Sequence, residues 1–255
     1  MLSKQIDLNC DMGEAFGVYS YGADEEIITS ISSANIACGW HAGDPLVMQA
    51  RVQLCLRHGV AIGAHPGFPD LLGFGRRNMV CTPAEYKAYT LYQVGALYAL
   101  ARSQGGELSH VKAHGNFYNM AAVDNQLARA IAEAVYEFDP KLVFVGLAGS
   151  QLCRAGVEVG LKVASEVFGD RAYRSDGTLL PRSEAGAVYH EVAQVVAQIM
   201  QIVETGTITA VDGTVFPVVG DTLCLHGDTP GAALFAREVR SALTSRGVAI
   251  RAMAS

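Results

Sequence analysis

Short apolar runs, each ending in a Gly-, His- or Asp-bearing loop and passing into a helical segment, recur from residue 5 to about residue 250. Strands separated by helices pair in parallel through right-handed crossovers, so this recurrence confines the chain to a few α/β architectures. Seven or eight such units in 255 residues predict a (β/α) barrel of seven or eight strands, with residues 1–255 as one domain. A doubly wound open sheet is the alternative, because closure is not written in a sequence.

The predicted strands are Gln5–Asn9, Ala34–Cys38, Val60–His65, His110–His114, Leu142–Leu147, Leu161–Ser165 and Thr222–His226, with a further one at Val248–Ala252. Asp44-Pro45 offers an N-cap and a first-turn proline for one helix. Thr82-Pro83-Ala84-Glu85 is a capping box that opens a helix running to Gln104, where Gly105-Gly106 stops it. Leu127–Phe138 carries helical periodicity. Val188, Val192, Val195, Ile199 and Ile202 mark a long amphipathic helix ending near Gly206 and carrying His190 on its surface. Asp212-Gly213 between Thr207–Val211 and Thr214–Val218 predicts a hairpin, and Asp228-Thr229-Pro230 opens the last helix.

Composition narrows the function classes. Half of the residues are hydrophobic and 17% are charged, which excludes a disordered chain. The net charge of −6 leaves no basic field for nucleic acid or an anionic membrane. Ile27–Gly43, the longest stretch free of Asp, Glu, Lys and Arg, is broken by Ser, Asn and Gly and does not read as a membrane span. Met1-Leu-Ser-Lys-Gln lacks the pattern of a secretory signal. Six cysteines without a Cys-x-x-Cys suit a reducing compartment, so the expected location is the cytoplasm.

The polar residues sit where the strands end. Asp11 follows the first strand, His41 the second and His65 the third; Lys112 and His114 fall on the fourth, Glu166 follows the sixth, and His226 and Asp228 the one near the end. In parallel α/β folds these carboxyl ends converge on one mouth. Asp7, Asn9 and Asp11 share one strand face. His110 and His58 read as structural, Arg76-Arg77 as a bidentate anion site or a solvated pair, and Trp40 as a pocket wall or a packing residue. No P-loop, dinucleotide fingerprint or Gly-x-Ser-x-Gly elbow is present, and no cysteine has a nucleophile's context, which points to acid–base and electrostatic chemistry. Asp11, His41 and His65 would also serve as a metal-ligand set.

Six segments resemble the LamB/YcsF family: Asp7-Leu-Asn-Cys-Asp-Met-Gly-Glu14, Asn35-Ile-Ala-Cys-Gly-Trp-His-Ala-Gly-Asp-Pro45, Gly63-Ala-His-Pro-Gly-Phe-Pro-Asp70, Glu166-Val-Phe-Gly-Asp-Arg-Ala-Tyr173, Asp176-Gly-Thr-Leu-Leu-Pro-Arg182 and His226-Gly-Asp-Thr-Pro-Gly-Ala232. The resemblance implies a barrel related to those of glycoside hydrolases and polysaccharide deacetylases. It implies the A component of a bacterial ATP-dependent 5-oxoprolinase, which opens 5-oxo-L-proline to L-glutamate with B and C subunits. ATP would then be a co-substrate of the complex, with a divalent metal and homo-oligomerisation both open. Under that scheme Asp11 or Asp228 is the general base. Lys112 and His114 stabilise an oxyanion or leaving phosphate, and His41 or His65 protonates the ring nitrogen. Asn9, Arg76, Tyr118, Asn119, Glu166, Arg174 and His226 are the candidate substrate-binding residues. One block departs from the family's pattern, Val111-Lys-Ala-His-Gly-Asn-Phe-Tyr-Asn119: Ala113 gives up a proline's fixed φ, Asn116 and Phe117 are expected to add bulk and a polar group near the mouth, and the change bears on which lactam is taken. The other readings are a stand-alone metal-dependent deacetylase or amidohydrolase, and a non-catalytic substrate-binding subunit.

Overall fold

A computed structural model describes residues 5–225 and 231–253. In chain order its elements are β1 (Gln5–Met12), α1 (Asp24–Ile27), β2 (Ser33–Ala37), α2 (Pro45–His58), β3 (Ala61–His65), α3 (Pro83–Ser103), β4 (Leu108–Lys112), α4 (Gly115–Ala121), α5 (Asn125–Phe138), β5 (Val143–Leu147), α6 (Gln151–Val159), β6 (Lys162–Phe168), α7 (Val192–Thr205), β7 (Thr207–Thr209), β8 (Val215–Pro217), β9 (Thr222–Leu225), α8 (Ala232–Ser245) and β10 (Ala249–Ile250). The parallel strands run β1-β2-β3-β4-β5-β6-β9, and β9 pairs back onto β1 through Asp7↔Thr222 to Cys10↔Leu225. Seven strands therefore close a barrel, and the open-sheet alternative falls away. β10 lies beside the first residues of β1 and takes no part in closure.

Alternation along β1 decides what fills this barrel. Leu8, Cys10 and Met12 are buried in the apolar layer, while Asp7, Asn9 and Asp11 point inward. Every inward polar group buried here needs a partner, and the strands supply them in tiers. Lowest is Asp7, whose carboxylate accepts from the hydroxyls of Ser32 (2.7 Å), Ser33 (2.6 Å) and Thr222 (2.5 Å). Above it Asn9 donates to Glu166 (3.0 Å), Asn35 donates to Asn9 (2.7 Å), and His110 meets Asn35 at 2.8 Å. His110 is buried, as its structural reading required. Gly63 makes that possible, because a Cβ there would lie 2.0 Å from the His110 ring.

The helix signals are realised in detail. Thr82 and Glu85 form the reciprocal capping box of α3. Asp44 caps α2, accepting from the amides of Leu46 (2.8 Å) and Val47 (3.0 Å), and its second oxygen accepts from Gly17 (2.8 Å). These backbone donors, those of Val47 and Gly17 foremost, lower the Asp44 pKa. Asp44→Ala should cost about 1 kcal/mol at neutral pH. Because the folded pKa is depressed, the cap contributes above the ordinary carboxylate range and is lost as pH falls through the folded value. Thermal melts of the two proteins should therefore converge in acid.

Several expectations need correction. The helix predicted from Val188 begins only at Val192: Val188 bridges Arg171, and the Tyr189 amide donates to the Asp170 carbonyl, so the loop's own pairing overrides the apolar spacing. His190 accordingly precedes α7, and it is exposed. Glu166 lies within β6, which extends to Phe168, and Asp11 within β1, which extends to Met12, while His114 lies beyond β4 as the N-cap residue of α4. The opening of the last helix at Asp228-Thr229-Pro230 lies outside the described residues. No helix among the described residues is long and apolar enough to cross a membrane.

Candidate active site

The barrel's carboxyl-terminal mouth opens into a cavity of about 880 Å³. Loop 169–191 forms one wall. It is stapled by Arg171, whose guanidinium donates to the carbonyls of Leu180 (2.5 Å) and Ala187 (3.2 Å). Burial, with Arg182 nearby, lowers the Arg171 pKa to about 10, so it stays charged at neutral pH. The opposite wall is α4 and the segment around Arg76 and Asn78.

Asp11, His65, Lys112 and His114, expected at the strand ends, line this cavity together with Arg76, Tyr118, Asn119 and Arg174. Asn9 and Glu166 do not; both are fully buried one tier below. His41 is fully buried behind the histidines that reach the cavity. His226 and Asp228 lie outside the described residues. The two arginines separate: Arg77 pairs with Asp70 away from the cavity (Nε to Oδ1 2.7 Å), while Arg76 faces it and rests over the Phe74 ring at 4.8 Å. Trp40 packs, stacked on Tyr92 at 5.3 Å and edge-on to Tyr89 at 4.9 Å. Phe117 is also a packing residue, fully buried against Phe68, so of the three altered residues Ala113 and Asn116 line the cavity and Phe117 does not. On the helix α4 successive side chains are turned by about 100°, so Asn116 faces the mouth while Phe117 points into the core.

Lys112 is the hub between the tiers. Its buried ammonium lies 2.8 Å from Glu166 Oε1, 3.0 Å from Asp11 Oδ1 and 3.2 Å from Asn9 Oδ1, and donates to Cys224 Sγ at 3.0 Å. Burial opposes the charge, but the surrounding acidic groups, Asp11 first, raise the Lys112 pKa well above its ordinary value. Tyr118 donates to the other Glu166 oxygen at 2.7 Å. Asp11 also accepts from Asn35 at 2.8 Å, which leaves Oδ2 turned towards His65 Nε2 at 3.3 Å.

Three histidines, one at the end of β3, one from the loop before α2 and one at the start of α4, meet beside Asp11. His65 Nδ1 donates to the Lys112 carbonyl at 2.7 Å, and His114 Nε2 donates to the Phe74 carbonyl at 2.8 Å. His65 Nε2 and His114 Nδ1 then face each other at 3.0 Å. His41 stacks on His114 with ring centres 3.6 Å apart. Burial, reinforced by the neighbouring rings, lowers the pKa values of His41 and His114 well below the usual imidazole range. Glu14, which the sequence did not single out, completes the group: its Oε1 is 3.3 Å from His114 Nδ1 and 3.4 Å from His41 Nε2. Gly13, at φ +70°, turns the chain there. Its place in the first motif was the only signal for Glu14.

The loop backbone is fitted to these rings. Phe74 holds φ +54°, rare for a bulky residue, and presents its carbonyl to His114. At Gly75, φ +64°, a Cβ would lie 2.8 Å from His114 and 2.9 Å from His41. Gly75→Ala should lower stability by about 1–3 kcal/mol, read as a drop in denaturation midpoint at unchanged m-value.

Comparisons with known proteins agree over nearly the whole chain. The LamB/YcsF family profile matches residues 6–255. The A subunit of 5-oxoprolinase from Geobacillus thermodenitrificans (strain NG80-2) is 55% identical over 250 residues, covering 98% of this chain and 97% of the relative. Its counterpart from Syntrophobacter fumaroxidans (strain DSM 10017 / MPOB) is 52% identical over 249 residues, covering 98% of each. The crystal structure of the lactam utilization protein from Thermus thermophilus superposes with a TM-score of 0.92 at 46% identity, covering 97% of this chain and 99% of that one.

Proposed function

Since this chain belongs to the LamB/YcsF family, we propose that it is the A subunit of an ATP-dependent 5-oxoprolinase, a hydrolase opening the lactam of 5-oxo-L-proline to L-glutamate. The observation that carries this reading is the 55% identity to a 5-oxoprolinase A subunit over 97% of that relative's length.

The lactam is a weak electrophile, which makes coupling to ATP chemically sensible. Transfer of the γ-phosphoryl group to the ring carbonyl oxygen activates the ring carbon. Water then adds to that carbon, the carbon–nitrogen bond breaks as the ring nitrogen takes up a proton, and the acyl phosphate left behind is hydrolysed by a second water to glutamate and phosphate. Asp11 is the base in this scheme: it receives the proton of the attacking water and returns it to the departing nitrogen. Lys112 holds Asp11 in place and sets a positive charge below the position where negative charge develops on oxygen. Arg76 and Arg174, at the cavity wall, would hold the substrate carboxylate or the transferred phosphoryl group. Asn116 at the mouth bears on which lactam enters. Glu166 and Asn9 act through Lys112 as positioning residues. The chain carries no P-loop, so the nucleotide is assigned to the B and C subunits or to their junction with this one.

The test is glutamate release from 5-oxo-L-proline by the chain alone and with its B and C partners, each with and without ATP. Release is expected only from the full set with ATP. Release by the chain alone, without ATP, would overturn the coupled reaction.

A further inference from the structure

We propose that Glu14, His65, His114 and His41 form a binding site for a divalent transition-metal ion of the zinc type. One ligand atom from each of the four residues lies within 4.8 Å of all the others. Three separations define the cluster: His65 Nε2 to His114 Nδ1 at 3.0 Å, His114 Nδ1 to Glu14 Oε1 at 3.3 Å, and Glu14 Oε1 to His41 Nε2 at 3.4 Å. Ligands about 2.0–2.1 Å from a tetrahedral zinc ion stand about 3.3–3.4 Å from one another, close to the spacing already present.

The outer nitrogens supply the second argument. Carbonyl oxygens only accept, so the Lys112 and Phe74 carbonyls fix His65 as the Nδ1–H tautomer and His114 as the Nε2–H tautomer. That is the outer support which metal-bound histidines use. Both inner nitrogens then present lone pairs to each other across 3.0 Å, an arrangement that calls for a cation between them. A shared proton would bridge those two atoms alone, whereas Glu14 and His41 converge on the same place. His41 is fully buried with no hydrogen-bond partner for either ring nitrogen. Its ring lies parallel to His114, so joining the same ion requires it to rotate, and no hydrogen bond holds it back. Three imidazoles and one carboxylate select zinc or cobalt over magnesium or calcium. Asp11, held by Lys112 and Asn35, stands next to this set and outside it.

The experiment is metal binding by the chelator-treated full chain, followed by calorimetry with Zn²⁺ and visible absorption with Co²⁺. One equivalent per chain is expected, with the d–d bands of a nitrogen-rich, four-coordinate cobalt site. Glu14→Gln and His114→Ala should each weaken Zn²⁺ binding at least tenfold, and Zn²⁺ should raise the melting temperature of the native sequence more than that of either variant. Glu14→Gln, nearly isosteric, keeps the test valid if His114→Ala does not fold. No stoichiometric binding, or equal affinity in the native chain and Glu14→Gln, would overturn the site. Because the readout is binding, the result is independent of whether 5-oxo-L-proline is the substrate.

Discussion

Replacing Lys112 by Met should lower folding stability by about 3–5 kcal/mol and reduce lactam turnover by at least about 10²–10³-fold. The side chains are similar in length, so the packing change is small. What disappears is the charge that sits 3.0 Å from Asp11 and 2.8 Å from Glu166 inside the barrel. Two carboxylates are then left with no counter-charge, and Glu166, fully buried below the cavity, cannot be solvated without opening the strands. A domain stabilised by about 5–15 kcal/mol in total would feel that loss severely. The companion variant Lys112→Met with Glu166→Gln separates the two effects. The new amide would still accept from Asn9 and removes one uncompensated charge, so part of the stability should return, a coupling of about 1–3 kcal/mol in a denaturant-based cycle. Turnover should not return, because Asp11 still lacks its cation. If Lys112→Met alone unfolds at the native midpoint, the buried ion cluster does not hold these strands together. Recovery of turnover in the double variant would remove Lys112 from the chemistry.

How much of this was legible in the sequence follows from the range of each interaction. The barrel strands announce themselves because each is a short apolar run bounded by loop residues, and α2 and α3 because their caps lie within three residues of the first turn. Helices α4 and α6 do not: α4 has only seven residues and opens on Gly115, while α6 has nine and carries Gly156, too few turns to display a period. Asp11, His65, Lys112 and His114 were readable as one mouth because parallel strands bring their carboxyl ends together whatever the loops do. Glu14 depends on the turn at Gly13, and the burial of His41 on Gly67 and Gly75, where backbone fits against its ring, and such fits involve residues tens of positions apart. Glu166 and Asn9 were found as polar residues of the right strands, but their depth below Lys112 is a property of barrel tiers and register. Phe117 shows the converse, a residue assigned to the mouth by its neighbours and turned into the core by the helix it sits on.

Asp11→Asn should reduce kcat by about 10²–10⁴-fold while leaving KM for the lactam and the melting temperature close to native. The fold should tolerate it because an amide oxygen at the Oδ1 position can still accept from Lys112 (3.0 Å) and Asn35 (2.8 Å), and the amide nitrogen would donate towards His65 Nε2. The substrate contacts assigned to Arg76 and Arg174 are untouched, so binding should hold while proton transfer fails. The two neighbouring acids serve as controls. Glu166 is fully buried and already occupied by Lys112, Asn9 and Tyr118, and Glu14 is spanned by His41 and His114. Asp11 and Glu14 both line the cavity, but only Asp11 of the two is held by Lys112, with Oδ2 turned away from the lysine and towards His65, next to the space a lactam ring would fill. A folded Asp11→Asn chain that turns over normally with ATP and its partners would therefore move the base elsewhere. If Glu14→Gln then lost turnover in its place, with Zn²⁺ affinity unchanged, the proton acceptor would lie among the histidines and not above Lys112.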